Sequence, residues 1–252
     1  TDGPGGANNG GSITLRIDGI ENTPTTVDVG ELNSTGNITA TGGNRSNGGT
    51  VDMSIGGITA NCVLTCSSTI NVDAGDNLYR DPAGMVLDFP AQTATSVGFS
   101  ALNNDDFIVV TSTITANGGD NAAGPAGYGG SIGFQTGNNT DADAVELTNA
   151  SFTAAGGNST TNLGGLGGQV GTPPGNAGDF EIQGTSFNVD GGDGGSVGGD
   201  AGLIEFDNNG TVGGFFNFDP TGVTSAGNNS ASLAGGSGTS NGSDGLFRLA
   251  DD

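Results

Sequence analysis

The sequence predicts an all-β chain, a right-handed parallel β-helix (β-solenoid) of about six to seven coils with long glycine-rich loops along one edge. Three observations carry this expectation. The composition is too poor in apolar residues for a thick core, two short motifs recur along the chain, and the apolar positions within each motif lie two residues apart.

Gly supplies 52 of the 252 residues and hydrophobic residues only 32%, so any core must be thin and elongated. Gly, Asn, Asp, Ser and Thr interrupt every window that could form a helix, each lowering helix propensity. Repeat and all-β architectures of this length form one domain, and residues 1–252 are read as a single β-solenoid domain.

The first motif is Gly-x-apolar-x-apolar, with copies beginning at Gly11, Gly49, Gly130, Gly178, Gly202 and Gly245 and an imperfect one near Gly84. The second is a short strand that runs into glycine and Asn or Asp. Its copies are Ile38-Thr-Ala40, Ile70-Asn-Val72, Ile114-Thr-Ala116, Phe152-Thr-Ala154 and Phe187-Asn-Val189, with a weaker one at Val223. A period of two is that of a strand with one buried face. Stacking places Ile38, Ile70, Ile114, Phe152, Phe187 and Val223 in one interior column, with Ala40, Val72, Ala116, Ala154 and Val189 beside it. Each coil then covers the apolar face of the next. The spacing from Gly178 to Gly202, 24 residues, sets the expected length of a coil, and longer spacings hold glycine-rich inserts that project along one edge.

Strand pairs such as Gly175-Asn-Ala-Gly-Asp179-Phe-Glu-Ile182 followed by Thr185-Ser-Phe187-Asn-Val189-Asp-Gly-Gly resemble the repeats of filamentous-haemagglutinin-like proteins and related glycine-rich bacterial surface adhesins. That resemblance implies a secreted or cell-surface, elongated right-handed β-helix used for adhesion or surface structure.

The chemistry available is narrow. The chain has 27 acidic residues against four arginines, with no lysine and no histidine, for a net charge of -23. Such a surface repels nucleic-acid phosphates and anionic membranes, and no apolar run is long enough to span a bilayer as a helix. Without histidine or lysine, most general acid-base and Schiff-base chemistry is excluded, so no enzyme is expected. The pairs Asp105/Asp106 and Asp141/Asp143 are the acids a polysaccharide-cleaving β-helix would use, although adjacent acids in polar loops are ordinarily solvated surface.

No cofactor is required. Calcium is the metal the loops would take, because hard cations prefer carboxylate and carbonyl oxygens in flexible turns, and Asp190, Asp193 and Asp200 form the densest candidate site. Asp and Asn are also favoured in turns for their own backbone hydrogen bonds. Thr39, Asn71, Thr115, Thr153, Asn188 and Thr224 are expected to form an outward ladder. Such a ladder is either an ordinary polar strand face or a surface that orders water, lies against a glycan or meets another copy. An ice-binding face would carry more uniform threonine pairs.

Cys62 and Cys66 are expected to close a small disulfide loop, which requires a turn between them because four extended residues span about 13 Å; two free buried thiols are the alternative. Nine Asn-x-Ser/Thr sequons, among them Asn33, Asn149 and Asn241, point to surface glycosylation. Any secretion signal is expected to be removed or to lie outside this sequence, because Thr1 is followed by no charged and apolar leader. The function expected is a self-assembling filament, surface-layer or sheath subunit joined end to end or through its glycine loops. The rivals are a monomeric adhesin that binds glycan and, third, a polysaccharide-active enzyme.

Overall fold

The structure, a computed structural model, describes residues 10–18, 31–42, 47–56, 63–76, 96–101, 107–136, 145–172, 180–207, 216–218 and 229–250. Strands appear in rounds of three: β1 (Ser12–Asp18), β2 (Glu31–Ser34) and β3 (Asn37–Thr39), then β4 (Thr50–Gly56), β5 (Val63–Cys66) and β6 (Thr69–Asn71). Next come β7 (Ser96–Ala101), β8 (Phe107–Val110) and β9 (Thr113–Thr115), followed by β10 (Ser131–Thr136), β11 (Val145–Thr148) and β12 (Ser151–Thr153). The last are β13 (Gln169–Gly171), β14 (Phe180–Gln183), β15 (Ser186–Asn188), β16 (Leu203–Asp207), β17 (Phe216–Phe218), β18 (Ser230–Ser232) and β19 (Leu246–Ala250). No helix occurs among the described residues.

Every strand pairs in parallel with strands three places away, giving three sheets: β1-β4-β7-β10-β13-β16-β19, β2-β5-β8-β11-β14-β17 and β3-β6-β9-β12-β15-β18. This is the architecture of a parallel β-solenoid. The first sheet carries the first motif: Ile13, Val51, Val97, Ile132, Val170, Ile204 and Phe247 share one column by register. Two copies differ from expectation. Phe180 and Ile182 sit in the second sheet opposite Val145 and Leu147, so the 24-residue spacing from Gly178 to Gly202 crosses between sheets and is no repeat. The true partners are Val170 and Ile204. The copy near Gly84 lies outside the described residues, and Val97 and Phe99 of β7 fill that place in the column.

The third sheet carries the second motif in register from Ile38 to Phe187. Its last place is taken by Ala231, while Val223 lies outside the described residues. The second sheet was not anticipated. Its inward columns begin Leu32-Leu64-Ile108-Val145-Phe180, and each of its first five strands reaches the third sheet through a two-residue corner. The corner turns sharply enough to place Asn149 and Gly184 at φ of 51 and 60 degrees, the left-handed region that Gly and Asn tolerate best. The second corner residues, Ser68, Ser112 and Thr185, are buried. Burial of a hydroxyl requires a partner, and each has one: Ser68 bonds the Ser34 hydroxyl at 2.6 Å, Ser112 the Cys66 sulfur at 3.7 Å, and Thr185 donates to the Leu147 carbonyl at 2.8 Å.

The core fills the space between the sheets and is aromatic in its later rounds. Phe99 stacks on Phe134 at 5.4 Å and Phe152 on Phe187 at 5.5 Å. Phe134 meets Phe152 edge-on at 5.5 Å, tying the first sheet to the third. Offset and edge contacts of this kind add about 0.5–1.5 kcal/mol each beyond area burial.

Candidate binding surfaces

After the third sheet the chain runs out through glycine and returns through glycine to the next strand of the first sheet. These inserts form a second hydrogen-bonded body. Outgoing runs pair with the next round at every third residue, through Gly118 N–H to Ala155 O and Asn121 N–H to Asn158 O, both at 2.9 Å. Returning runs do the same, through Ala126 N–H to Leu163 O and Gly129 N–H to Leu166 O, also both at 2.9 Å. The two layers are stitched together by a zigzag of glycine amides, in which Gly127 donates to Gly119, Gly157 to Gly127, Gly165 to Gly157, Gly192 to Gly165 and Gly199 to Gly192, at 2.8 to 2.9 Å. A three-residue recurrence is the period of polyproline II backbone, which has no internal hydrogen bonds and must find partners elsewhere. Only glycine permits the layers to close: a Cβ at Gly192 would lie 1.8 Å from the Gly157 carbonyl oxygen.

The outer side of the outgoing layer explains much of the Asp and Asn. Asp76, Asp120, Asn158 and Asp193 stand in file, and each side-chain Oδ1 accepts from the backbone N–H of its successor in the next round, ending at Ser237. The bonds measure 2.6 to 3.0 Å. A parallel file joins Asp73 to Asn117 and Asn117 to Ala155. These side chains satisfy the N–H that a two-layer lattice leaves pointing outward.

The three expected calcium ligands behave in this way. Asp190 accepts from Ser232 Oγ and Ala234 N, Asp193 from Ser237 N and Oγ, and Asp200 from Ser243 N. Ser237, first through its hydroxyl and then through its amide, holds the Asp193 carboxyl below its ordinary range. The structure does not bring the three together, and among the described residues no three Asp, Glu or Cys side chains converge as a metal site would require. Asp105, Asp106, Asp141 and Asp143 lie outside the described residues.

The returning layer meets the outer face of the first sheet in a shallow groove of about 1050 Å³ that crosses four rounds. Glycine backbone forms much of its floor, and Tyr128, Leu166, Gln169, Asp200, Leu203 and Leu246 stand along it. Tyr128, Leu163, Leu166 and Val197 project from this layer with 38 to 47% of their surface exposed. Sequence patterning missed them because single apolar residues among glycines have no strand or helix period.

The outward ladder holds by register through Thr39, Asn71, Thr115, Thr153 and Asn188. Thr224 lies outside the described residues, and Ser232 stands opposite Asn188. A second rank, Asn37, Thr69, Thr113, Ser151, Ser186 and Ser230, runs beside it on the same face. Cys66, expected to pair with Cys62, is a free buried thiol. The strand runs extended through Val63–Cys66, and Cys62 lies outside the described residues. Burial pushes the Cys66 thiol up, opposed in part by hydrogen bonds to Ser112 and to the Ser68 carbonyl.

Compared with known protein families, with curated proteins and with solved structures, the chain finds no match.

Proposed function

We propose that this chain is an extracellular structural protein, a right-handed β-solenoid of six to seven coils over residues 1–252 whose copies associate side by side into a filament or sheath. The observation that carries this reading is the set of exposed apolar side chains on the returning glycine layer, with Leu163 opposite Val197 in the next round and Tyr128 and Leu166 along one groove. Exposed apolar side chains gathered on one layer offer a contact surface. Here the hydrogen-bonded lattice beneath holds it in place, so little ordering entropy opposes docking. The resemblance to glycine-rich surface adhesins supports the extracellular location.

The net charge of -23 opposes association of copies, and salt or calcium reduces that repulsion. Sedimentation velocity and negative-stain electron microscopy at low and high salt, with calcium and with chelator, test the proposal. Association that grows with ionic strength and is lost in Leu163→Asp/Leu166→Asp supports it; a monomer at every condition contradicts it. The second reading, a monomeric adhesin, is favoured by Tyr128 standing over a groove with Gln169 and Asp200. Saturable binding on a glycan array, lost in Tyr128→Ala, would establish that reading instead.

A further inference from the structure

The outer face of the third sheet differs from the other two. On the first sheet the outward positions include Asp52, Glu205 and Arg248, and Gly98 and Gly133 interrupt it. On the second they include Glu146 and Glu181. On the third, both outward positions of all six strands are Ser, Thr or Asn. None of these twelve positions is charged, in a chain with 27 acidic residues, and the two carboxylates that border the face, Asp73 and Asp190, accept from the Thr115 hydroxyl at 3.3 Å and the Ser232 hydroxyl at 2.8 Å. None of these side chains is buried, and the strands pair without a bulge.

We infer that this face binds ordered water and adsorbs to ice, with Ser and Asn holding places that uniform threonine pairs would otherwise fill. Neighbouring parallel strands repeat at about 4.8 Å. Water oxygens joined by bonds of about 2.75 Å at tetrahedral angles place second neighbours about 4.5 Å apart, within reach of small side-chain adjustments. Hydroxyls and amides in two ranks can therefore hold a sheet of waters at nearly the spacing of the solid. Several are already fixed: Asn71 and Asn188 each accept from the backbone N–H two residues on at 2.9 Å, and Ser186 donates to Ser151 at 3.0 Å. A crystalline polysaccharide is the less suitable partner, because no aromatic side chain stands on this face for a sugar ring to stack on.

The inference does not depend on side-by-side assembly, since a monomer presents the same face. The test is partition of the intact chain into slowly growing polycrystalline ice, together with thermal hysteresis, for the native chain, Thr115→Tyr, Thr153→Tyr and, as control on the first sheet, Thr14→Tyr. The native chain and Thr14→Tyr are expected to enter the ice and depress the freezing point below the melting point. Thr115→Tyr and Thr153→Tyr are expected to lose both effects with unchanged far-UV circular dichroism. Exclusion of the native chain from ice overturns the inference whatever the variants do. So does retention of full ice affinity by both folded tyrosine variants.

Discussion

Asp193 and Ser237 lie one round apart and are joined twice: the Asp193 Oδ1 accepts from the backbone N–H of Ser237 at 2.8 Å and from its hydroxyl at 2.7 Å. Asp193 in turn donates its own N–H to Asn158 at 2.8 Å, so it is one link of a file and not an isolated carboxylate.

Asp193→Ala therefore removes the acceptor from an outward N–H. The expected loss is about 0.5–1 kcal/mol, small because water replaces part of the bond at this exposed site. Asp193→Asn, which keeps an oxygen in place, should lose less; urea unfolding of both variants checks this order. Because the folded carboxyl is held below its ordinary range, its contribution is complete above the unfolded value near ~3.9. It is lost as pH falls through the lower folded value. Native and Asp193→Asn stabilities should accordingly converge at strongly acid pH.

Gly192→Ala should be far more damaging than its size suggests. The new methyl would press on backbone, 1.8 Å from the Gly157 carbonyl oxygen and 2.6 Å from its carbon, and no rotamer relieves that. A loss of about 3 kcal/mol is expected. Gly11→Ala, where a Cβ meets nothing within 4 Å, should change the unfolding midpoint little. Equal effects of the two would contradict the two-layer lattice.

Phe152 is fully buried between Phe134 and Phe187. Phe152→Ala should cost about 3–5 kcal/mol, read by chemical unfolding followed at the sheet signal in circular dichroism.

In a Cys62→Ser background, Cys66 should react with a thiol reagent only as the fold opens, because it is buried and hydrogen-bonded to Ser112 and the Ser68 carbonyl. Its raised ionisation works against stability at high pH: the unfolded thiol ionises first, so the stabilisation is present below the ordinary thiol value and is lost as pH rises through the folded one. Rapid labelling of the native Cys62→Ser protein would contradict the burial.

The columns legible in the sequence were those with large apolar residues and a glycine or Asx punctuation mark. Ile38 to Phe187 were placed correctly because each strand ends in Gly-Gly-Asn or its equivalent. The second sheet was hidden because its strands, such as Val145–Thr148, stand only two residues from those of the third and share their alternation. Strand β13 was missed because Thr172 follows Gly171 where a second apolar residue was sought. At β18 the small Ala231 replaced the expected large side chain. The glycine inserts read as loops because their order comes from backbone bonds at a three-residue period, which leaves no apolar pattern. The backbone role of Asp190, Asp193 and Asp200 was not legible for a related reason: acceptors for neighbouring N–H groups and acceptors for calcium are the same side chains.

The exposed apolar side chains Tyr128, Leu163, Leu166 and Val197 stand on the glycine inserts, which are an ordered part of the solenoid. Native-state hydrogen exchange by nuclear magnetic resonance tests that most directly. The amides of Gly127, Gly157, Gly165, Gly192 and Gly199 are predicted to exchange as slowly as those of the flanking strands. Exchange at the rate of an unstructured peptide would contradict the lattice and, with it, the surface proposed to join one copy to the next.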